Sequence, residues 1–267
     1  MKSKILQSIC IIFLSAIMSN ANAQSSHSFH ADNKYSKELK KLKKRLQKKG
    51  YKIGPLLKDK KFKIYDNIGD HFRNSAERTT PDLAQYKNLL HFHKKISRGV
   101  QFFQNHKKTL KKAARKYDIS PYLIAAIIGI ESNFGQNAGS YNPFNVYVSM
   151  IAVGYRKHFA RSQLEQLLDF VNRTGVGIFS LKSSYAGAIS YAQFIPYSLN
   201  QWFVGDNIFD MHDNIMSVGN YLAHFKRKTG SVRKAVLHYN SSKLYQGFVL
   251  DLADAIQKEY MAKQQSG

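Results

Sequence analysis

The chain has 267 residues, 43% of them hydrophobic, which suffices to bury a core in one large domain or two small ones. Forty-one Lys and Arg against 17 Asp and Glu give a formal net charge of +24. So basic a chain suits an anionic partner: nucleic acid, an acidic membrane surface or an acidic polymer. The single cysteine, Cys10, lies near the N-terminus and leaves no basis for disulfides or a structural zinc site in the remainder.

Residues 1–23 read as a secretory signal peptide. Lys2 and Lys4 form a positive start, Ile5 to Met18 a short apolar run, and Ala21-Asn22-Ala23 a small-residue cleavage site. The run is too short and too interrupted, by Gln7, Ser8 and Ser15, for a membrane span. Its removal leaves 39 Lys and Arg against 17 acids, a net +22, and no cysteine. A disulfide-free exported chain of this size fits a bacterial periplasm. Export argues against nucleic acid and leaves cell-wall glycan or a membrane surface as partners.

After a short polar leader, Tyr35 to Lys49 carries Leu39, Leu42 and Leu46 at helical spacing with lysines between them. This is read as a surface helix with one apolar stripe and a solvated basic face, ahead of a helix that tracks an anionic polymer or lipid headgroups. Gly50, Gly54 and Pro55 end it. A second helix is expected after Pro81, capped by Thr80, with Leu83, Tyr86, Leu89 and Leu90 on one face. A third runs from Val100 to Tyr117, with Phe103, Leu110, Ala114 and Tyr117 on one side. No repeat and no sustained strand alternation is visible, so the fold class is all-α.

Tyr117 to Gly135 (Y-D-I-S-P-Y-L-I-A-A-I-I-G-I-E-S-N-F-G) is the most informative stretch. Ser120 before Pro121 is a helix start, and Leu123 to Ile130 are apolar on every face, as in a buried helix. One carboxylate, Glu131, follows, and Gly135 is placed to end the helix. Greasy neighbours and the negative end of a helix dipole predict a carboxyl that holds its proton to higher pH, the property of a general acid for glycosidic-bond cleavage. An exposed Glu in a helix-ending turn is the ordinary alternative.

Lys182 to Trp202 is expected as a helix of small residues, Ala186, Gly187, Ala188 and Ala192, with Gln193 and Phe194 available to line a sugar groove and Pro196 ending the run. Ordinary tight packing is the alternative. His238 to Ala255 clusters Tyr239, Asn240 and Tyr245 before an amphipathic helix. No metal is expected: His91 and His93 fall on different helix faces, and Asp206, Asp210 and Asp213 lack the spacing of a calcium loop. These acids are read as helix caps. No cofactor is implied.

Together these stretches resemble the lytic transglycosylases of bacterial cell-wall metabolism, of the B type. E-S-N-F-G is similar to that family's catalytic Glu motif, S-Y-A-G-A-I-S-Y-A-Q-F-I-P to its second motif and H-Y-N-S-S-K-L-Y to its third. Asp210 to Leu222 resembles a fourth element. The likeness runs from about residue 83 to 256. It implies a lysozyme-like catalytic domain over 83–265, preceded by a basic, helical segment over 24–82.

The resemblance implies Glu131 as the single catalytic carboxylate, and Ser184, Gln193, Phe194, Tyr221, Tyr239, Asn240 and Tyr245 along the glycan groove. Tyr155 matches a groove tyrosine less closely, and Tyr86 less closely again. Ser190 and Ala192 stand where the family usually has glycine, and the calcium-binding loop of some members is missing. With no second acid evident beyond Glu165 and Asp118, both in ordinary settings, the expected chemistry uses Glu131 first as acid, then as base, and gives 1,6-anhydro ends. Tyr239 and Asn240 are expected to orient the substrate's acetamido group or Glu131. A hydrolytic muramidase and a non-catalytic wall-binding protein are the alternatives.

Overall fold

The computed structural model describes residues 34–265; the signal peptide expected at 1–23 and the polar leader after it lie outside the described residues. Thirteen α-helices account for most of the described chain, with isolated bridges as the only extended pairing among the described residues. In order they are α1 (Ser36–Gln47), α2 (Ile68–Arg73), α3 (Ala76–Thr79), α4 (Leu83–Leu89), α5 (Phe92–Asn105), α6 (Lys107–Tyr117) and α7 (Pro121–Ser132). There follow α8 (Pro143–Ala152), α9 (Lys157–Thr174), α10 (Pro196–Trp202), α11 (Met211–Thr229), α12 (Val232–Tyr239) and α13 (Lys243–Gln265).

Two helices without a polar face form the centre. Every residue from Leu123 to Ser132 of α7 and every residue of α8 is buried, as helices apolar all round must be. α13, α5, α6 and α11 surround α7, while α9 covers α8 and α10 covers α9. Close approach needs small residues at particular points. A Cβ on Gly99 would lie 2.3 Å from Ile256 of α13, and one on Gly129 would lie 2.5 Å from the Phe134 ring.

The basic N-terminal segment is tied to this centre. α1 buries Leu42 and Leu46 with Leu39 at the edge of the core, the stripe read from the sequence. Tyr65 donates its backbone N–H to Ser149 Oγ (2.8 Å), and Asn145 Nδ2 donates to the Lys61 carbonyl (2.9 Å). Tyr51 donates to Asp169 (2.6 Å) and Lys49 to Glu165 (2.7 Å). These contacts join residues 34–66 to α8 and α9.

Three expectations need correction. The helix after Pro81 is capped by Asp82, whose carboxylate accepts the Gln85 N–H at 2.8 Å, and not by Thr80. Asp is the stronger cap. Its Tyr86 and Leu90 are buried, but Leu89 is 44% exposed. The stretch Val100 to Tyr117 is two helices that meet at His106, whose ring packs on Phe102 at 4.6 Å and whose carbonyl opens α6.

The third correction is the largest. Residues 182–195 are turns and not a helix, with Ser183 bridged to Tyr141 and Ile189, and Ile189 to Phe194. Left-handed backbone at Gly187 (φ 78), Ser190 (φ 72) and Gln193 (φ 50) is incompatible with a helix. Tertiary partners fix it. Tyr147 donates its hydroxyl to the Gly187 carbonyl (2.9 Å), and Asn214 Oδ1 accepts the Ala192 N–H (2.9 Å). Pro196 begins α10 instead of ending a helix, the position where its missing N–H costs nothing.

Candidate active site

The helix that carries Glu131 is set at both ends by its sequence. Ser120 Oγ accepts the Leu123 N–H and Pro121 occupies the first helical position. At the other end Asn133 (φ 51) and Phe134 (φ 61) turn the chain back before Gly135 is reached, so the helix stops two residues earlier than glycine alone predicts. Asn tolerates the left-handed region. Lys95, itself buried, donates Nζ to the Gly129 carbonyl (2.9 Å) and to Asn133 Oδ1 (3.2 Å). Burial lowers its pKa to about 8.

Glu131 is 6% exposed. Its Oε1 accepts the Tyr245 hydroxyl at 2.5 Å, and its Oε2 is buried without a partner in the protein. Burial raises its pKa well above 4.5; the bond from Tyr245 opposes this and the nearby Glu77 carboxylate adds to it. The expected proton-holding carboxyl is therefore present, but for burial more than for the helix dipole, whose negative end is met by Lys95. Tyr245 is pushed well above its ordinary value by burial and by Glu131. It therefore remains a phenol and a donor.

A second carboxylate does accompany Glu131, contrary to the sequence reading. Glu77, on α3, accepts the Tyr86 hydroxyl on Oε1 at 2.8 Å, and its Oε2 is buried without a partner. Burial raises its pKa too. It escaped notice because it sits in A-E-R-T, a short turn in a polar stretch with no motif, far from Glu131 in the chain. The two acids weighed from sequence do lie in ordinary settings: Glu165 pairs with Lys49, and Asp118 accepts from Lys226 at 2.7 Å on the surface.

The other expected residues converge around this core from four segments. Ser184, Gln193, Phe194, Tyr221, Tyr239, Asn240 and Tyr245 are all buried. Phe194 packs against Tyr221 and Tyr239, each at 5.6 Å between ring centres. Tyr221 donates to the His238 carbonyl (2.6 Å) and Tyr239 to the Ala192 carbonyl (2.5 Å). Gln193 Nε2 donates to the Ser190 carbonyl (2.8 Å), and Ser184 Oγ accepts the Ala188 N–H (3.3 Å). Most of these groups hold the turns 183–195 against α11 and α12. Asn240 differs, because its Oδ1 accepts from Ser242 while Nδ2 is buried without a partner. Tyr155 packs on Phe72 at 4.9 Å. The group found holding Glu131 is Tyr245, while Tyr239 and Asn240 were expected to orient the acetamido group or Glu131.

The family described as "Transglycosylase SLT domain" matches residues 33–235. The chain belongs to this family. The membrane-bound lytic murein transglycosylase B of Escherichia coli (strain K12) is 31% identical over 134 residues, which are 47% of this chain and 37% of that protein. The match thus spans little more than a third of that relative's length. The lytic transglycosylase SltB1 from Pseudomonas aeruginosa superposes with a TM-score of 0.73 at 22% identity, over 86% of this chain and 98% of its own. SltB3 from the same organism, solved in complex with NAG-anhNAM-pentapeptide, gives 0.60 at 21% identity over 68% and 69%. The all-α, lysozyme-like fold expected from the sequence is the fold these transglycosylases share.

Ser190, expected to stand in place of a glycine, occupies left-handed backbone (φ 72), the region that favours glycine, and its Oγ accepts the Ala192 N–H at 3.2 Å. Asp210, His212 and Asp213 bring ligand atoms within 4.8 Å of one another. Asp210 is occupied in capping α11 at the Asp213 N–H, and Asp213 accepts the Asn207 N–H. Asp210 thus serves as a cap, the role read for it from the sequence.

Proposed function

We propose that the chain is a peptidoglycan lytic transglycosylase that cleaves the MurNAc-β-1,4-GlcNAc bond without water, leaving 1,6-anhydroMurNAc ends. One observation carries the reading: a buried Glu131 carboxyl that retains its proton, one oxygen fixed by Tyr245 and the other bare. Family membership and the anhNAM-containing ligand in the SltB3 complex support it. Glu131 gives its proton to the bridging oxygen as the anomeric C–O bond breaks. The substrate's acetamido group stabilises the cation at that carbon. Glu131, now a carboxylate, takes the proton of the sugar's 6-hydroxyl, whose oxygen closes onto the same carbon. One side chain thus serves as acid and then base, which requires a pKa near working pH.

Asn240 Nδ2, the buried donor without a protein partner, is assigned to a substrate oxygen. Ser184, Gln193, Phe194, Tyr221, Tyr239, Tyr155 and Tyr86 shape the groove, largely from behind. Residues 83–265 form the catalytic unit, and the basic segment 24–82 serves it, since it brings Glu77. The signal peptide expected over residues 1–23 supports a periplasmic mature protein, in keeping with relatives that act on murein outside the cytoplasm. Its partner is the glycan strand, with anionic membrane surface as a secondary one for the basic face.

A hydrolytic reading gains one observation, the Glu77 carboxylate, which offers a base for water. Mass spectrometry of muropeptides released from purified peptidoglycan separates the two. Products one water lighter than the hydrolysed species, absent with Glu131→Gln, are expected. Hydrated reducing ends would make the protein a muramidase, and sacculus binding without release would make it a wall-binding protein.

A further inference from the structure

We propose that Glu77 is a positioning residue for Glu131: its negative charge, fixed by Tyr86, keeps the proton on Glu131 before the reaction and strengthens Glu131 as a base afterwards. The inference rests on the reading of Glu131 as acid and base. Its starting point is a repeated arrangement. Each carboxylate has one oxygen on a tyrosine hydroxyl, Glu77 on Tyr86 and Glu131 on Tyr245, and each has its second oxygen buried and bare. The two pairs share a support. Tyr86 packs edge-on against Phe248 at 5.7 Å, and Phe248 lies three residues after Tyr245 on α13.

Which carboxyl ionises first follows from what surrounds each. Glu77 is favoured as an anion by the Tyr86 hydroxyl, and it lies nearer the surface. Glu131 has Tyr245 alone and is enclosed. Hydrogen bonds to the charged form favour it and burial opposes it, so the first charge belongs to Glu77. A second negative charge in the same apolar enclosure is then resisted. Both carboxylates act on Tyr86, which places that hydroxyl within the field of each.

The remaining charged and titratable groups do not undo this. From α13 comes Tyr245, and from α5 come Lys95 and Arg98, which bond to Asn133, with Lys95 also on the Gly129 carbonyl. Their charge is engaged by the end of α7. α6 and α11 meet nearer the start of α7, where the Tyr117 ring lies over Gly219. On the side of Glu77, Tyr185 is buried and uncharged, and Arg78 is exposed to solvent. In the reaction, loss of the proton to the leaving oxygen makes Glu131 a second anion beside Glu77. Recovering a proton, from the 6-hydroxyl, relieves that repulsion, so Glu77 lends force to the second step.

The test is a carboxyl titration by NMR on the full chain with 13C-labelled glutamate, assigned with Glu131→Gln and Glu77→Gln, together with the pH–rate profile on peptidoglycan. In Glu77→Gln the Glu131 midpoint is expected to shift to lower pH, the alkaline limb of the profile to move with it, and the rate at the wild-type optimum to fall on the order of tenfold. Glu77→Asp should restore both. Tyr86→Phe, a second probe should Glu77→Gln fail to fold, should raise the first ionisation of the pair. An unmoved Glu131 midpoint in Glu77→Gln, or an unmoved first ionisation in Tyr86→Phe, overturns the proposal. So does selective loss of hydrated products in Glu77→Gln, which would make Glu77 a base. The titration is independent of turnover, so failure of the transglycosylase reading would appear only in the muropeptide masses.

Discussion

At the scale of single residues, the bond from Tyr245 to Glu131 is the contact most open to measurement. It favours the carboxylate, so Tyr245→Phe should raise the Glu131 pKa further and slow the first step, in which Glu131 must give up its proton. A hydrogen bond to a charged group is worth about 1.5–3 kcal/mol, and kcat should fall roughly tenfold to a hundredfold with KM little changed. Glu131 also makes a prediction for stability. Its pKa in the fold lies above the unfolded value near 4.5, so the folded state binds more protons and stability is lost as pH rises between the two values. Glu131→Gln removes that loss. Urea unfolding should find the variant more stable than wild type at neutral pH and equal to it at pH below the unfolded value; equal stability throughout would contradict the burial assigned to Glu131. Glu131 was legible because a cap, a proline and an unbroken apolar run frame one carboxylate. Glu77 and Lys95 were not, because their contacts arise only when α3 meets Tyr86 of α4 and α5 packs on α7.

At the scale of elements, local sequence identified α1 and α7 and failed where tertiary contacts decide. α1 and α7 follow from Leu39, Leu42, Leu46 and from Ser120-Pro121. The turns at 183–195 do not follow, since Ala186, Ala188 and Ala192 are good helix formers and the partners that hold them, Tyr147 and Asn214, come from other segments. The end of α7 is the element on which the site depends, and Lys95 is its cap. The Gly129 carbonyl lies in the last turn, where carbonyls lack helical partners, and Lys95 supplies one. Lys95→Met should cost about 1–3 kcal/mol of stability by leaving that carbonyl buried and bare. Activity should fall more than stability explains, because Glu131 lies two residues beyond. Denaturant unfolding beside kcat on the same samples checks both. Loss of stability with full activity at low temperature would show that the cap serves the fold alone.

For the whole molecule the leading quantity is charge, which the sequence stated outright and the fold distributes. Among the described residues few of the basic side chains find acids; in the basic segment Lys49 and Arg45 share Glu165, and Lys41 shares Glu38 with Lys157. Lys40, Lys43, Lys58 and Lys63, with Lys34 paired to Asp66, line a cavity of about 590 Å³ between α1 and the loop that follows it. Peptidoglycan carries peptide carboxylates, so this excess should draw enzyme to polymer and act mainly on encounter. Screening shortens the reach of such charges from about 10 Å at 0.1 M salt to about 3 Å at 1 M. Release of muropeptides from sacculi should therefore slow by roughly tenfold between low salt and ~0.5 M, with the effect in kcat/KM. Cleavage of a short glycan stripped of its peptides, which keeps only the lactyl carboxylate of each MurNAc, should change less over the same range, because its encounter has less charge to gain from. If both substrates slow alike, salt acts on the chemistry at Glu131 and the basic surface has no part in capture. If sacculi slow more, replacing Lys40 and Lys43 by Glu should reproduce part of the loss at low salt, locating the attraction on the N-terminal segment.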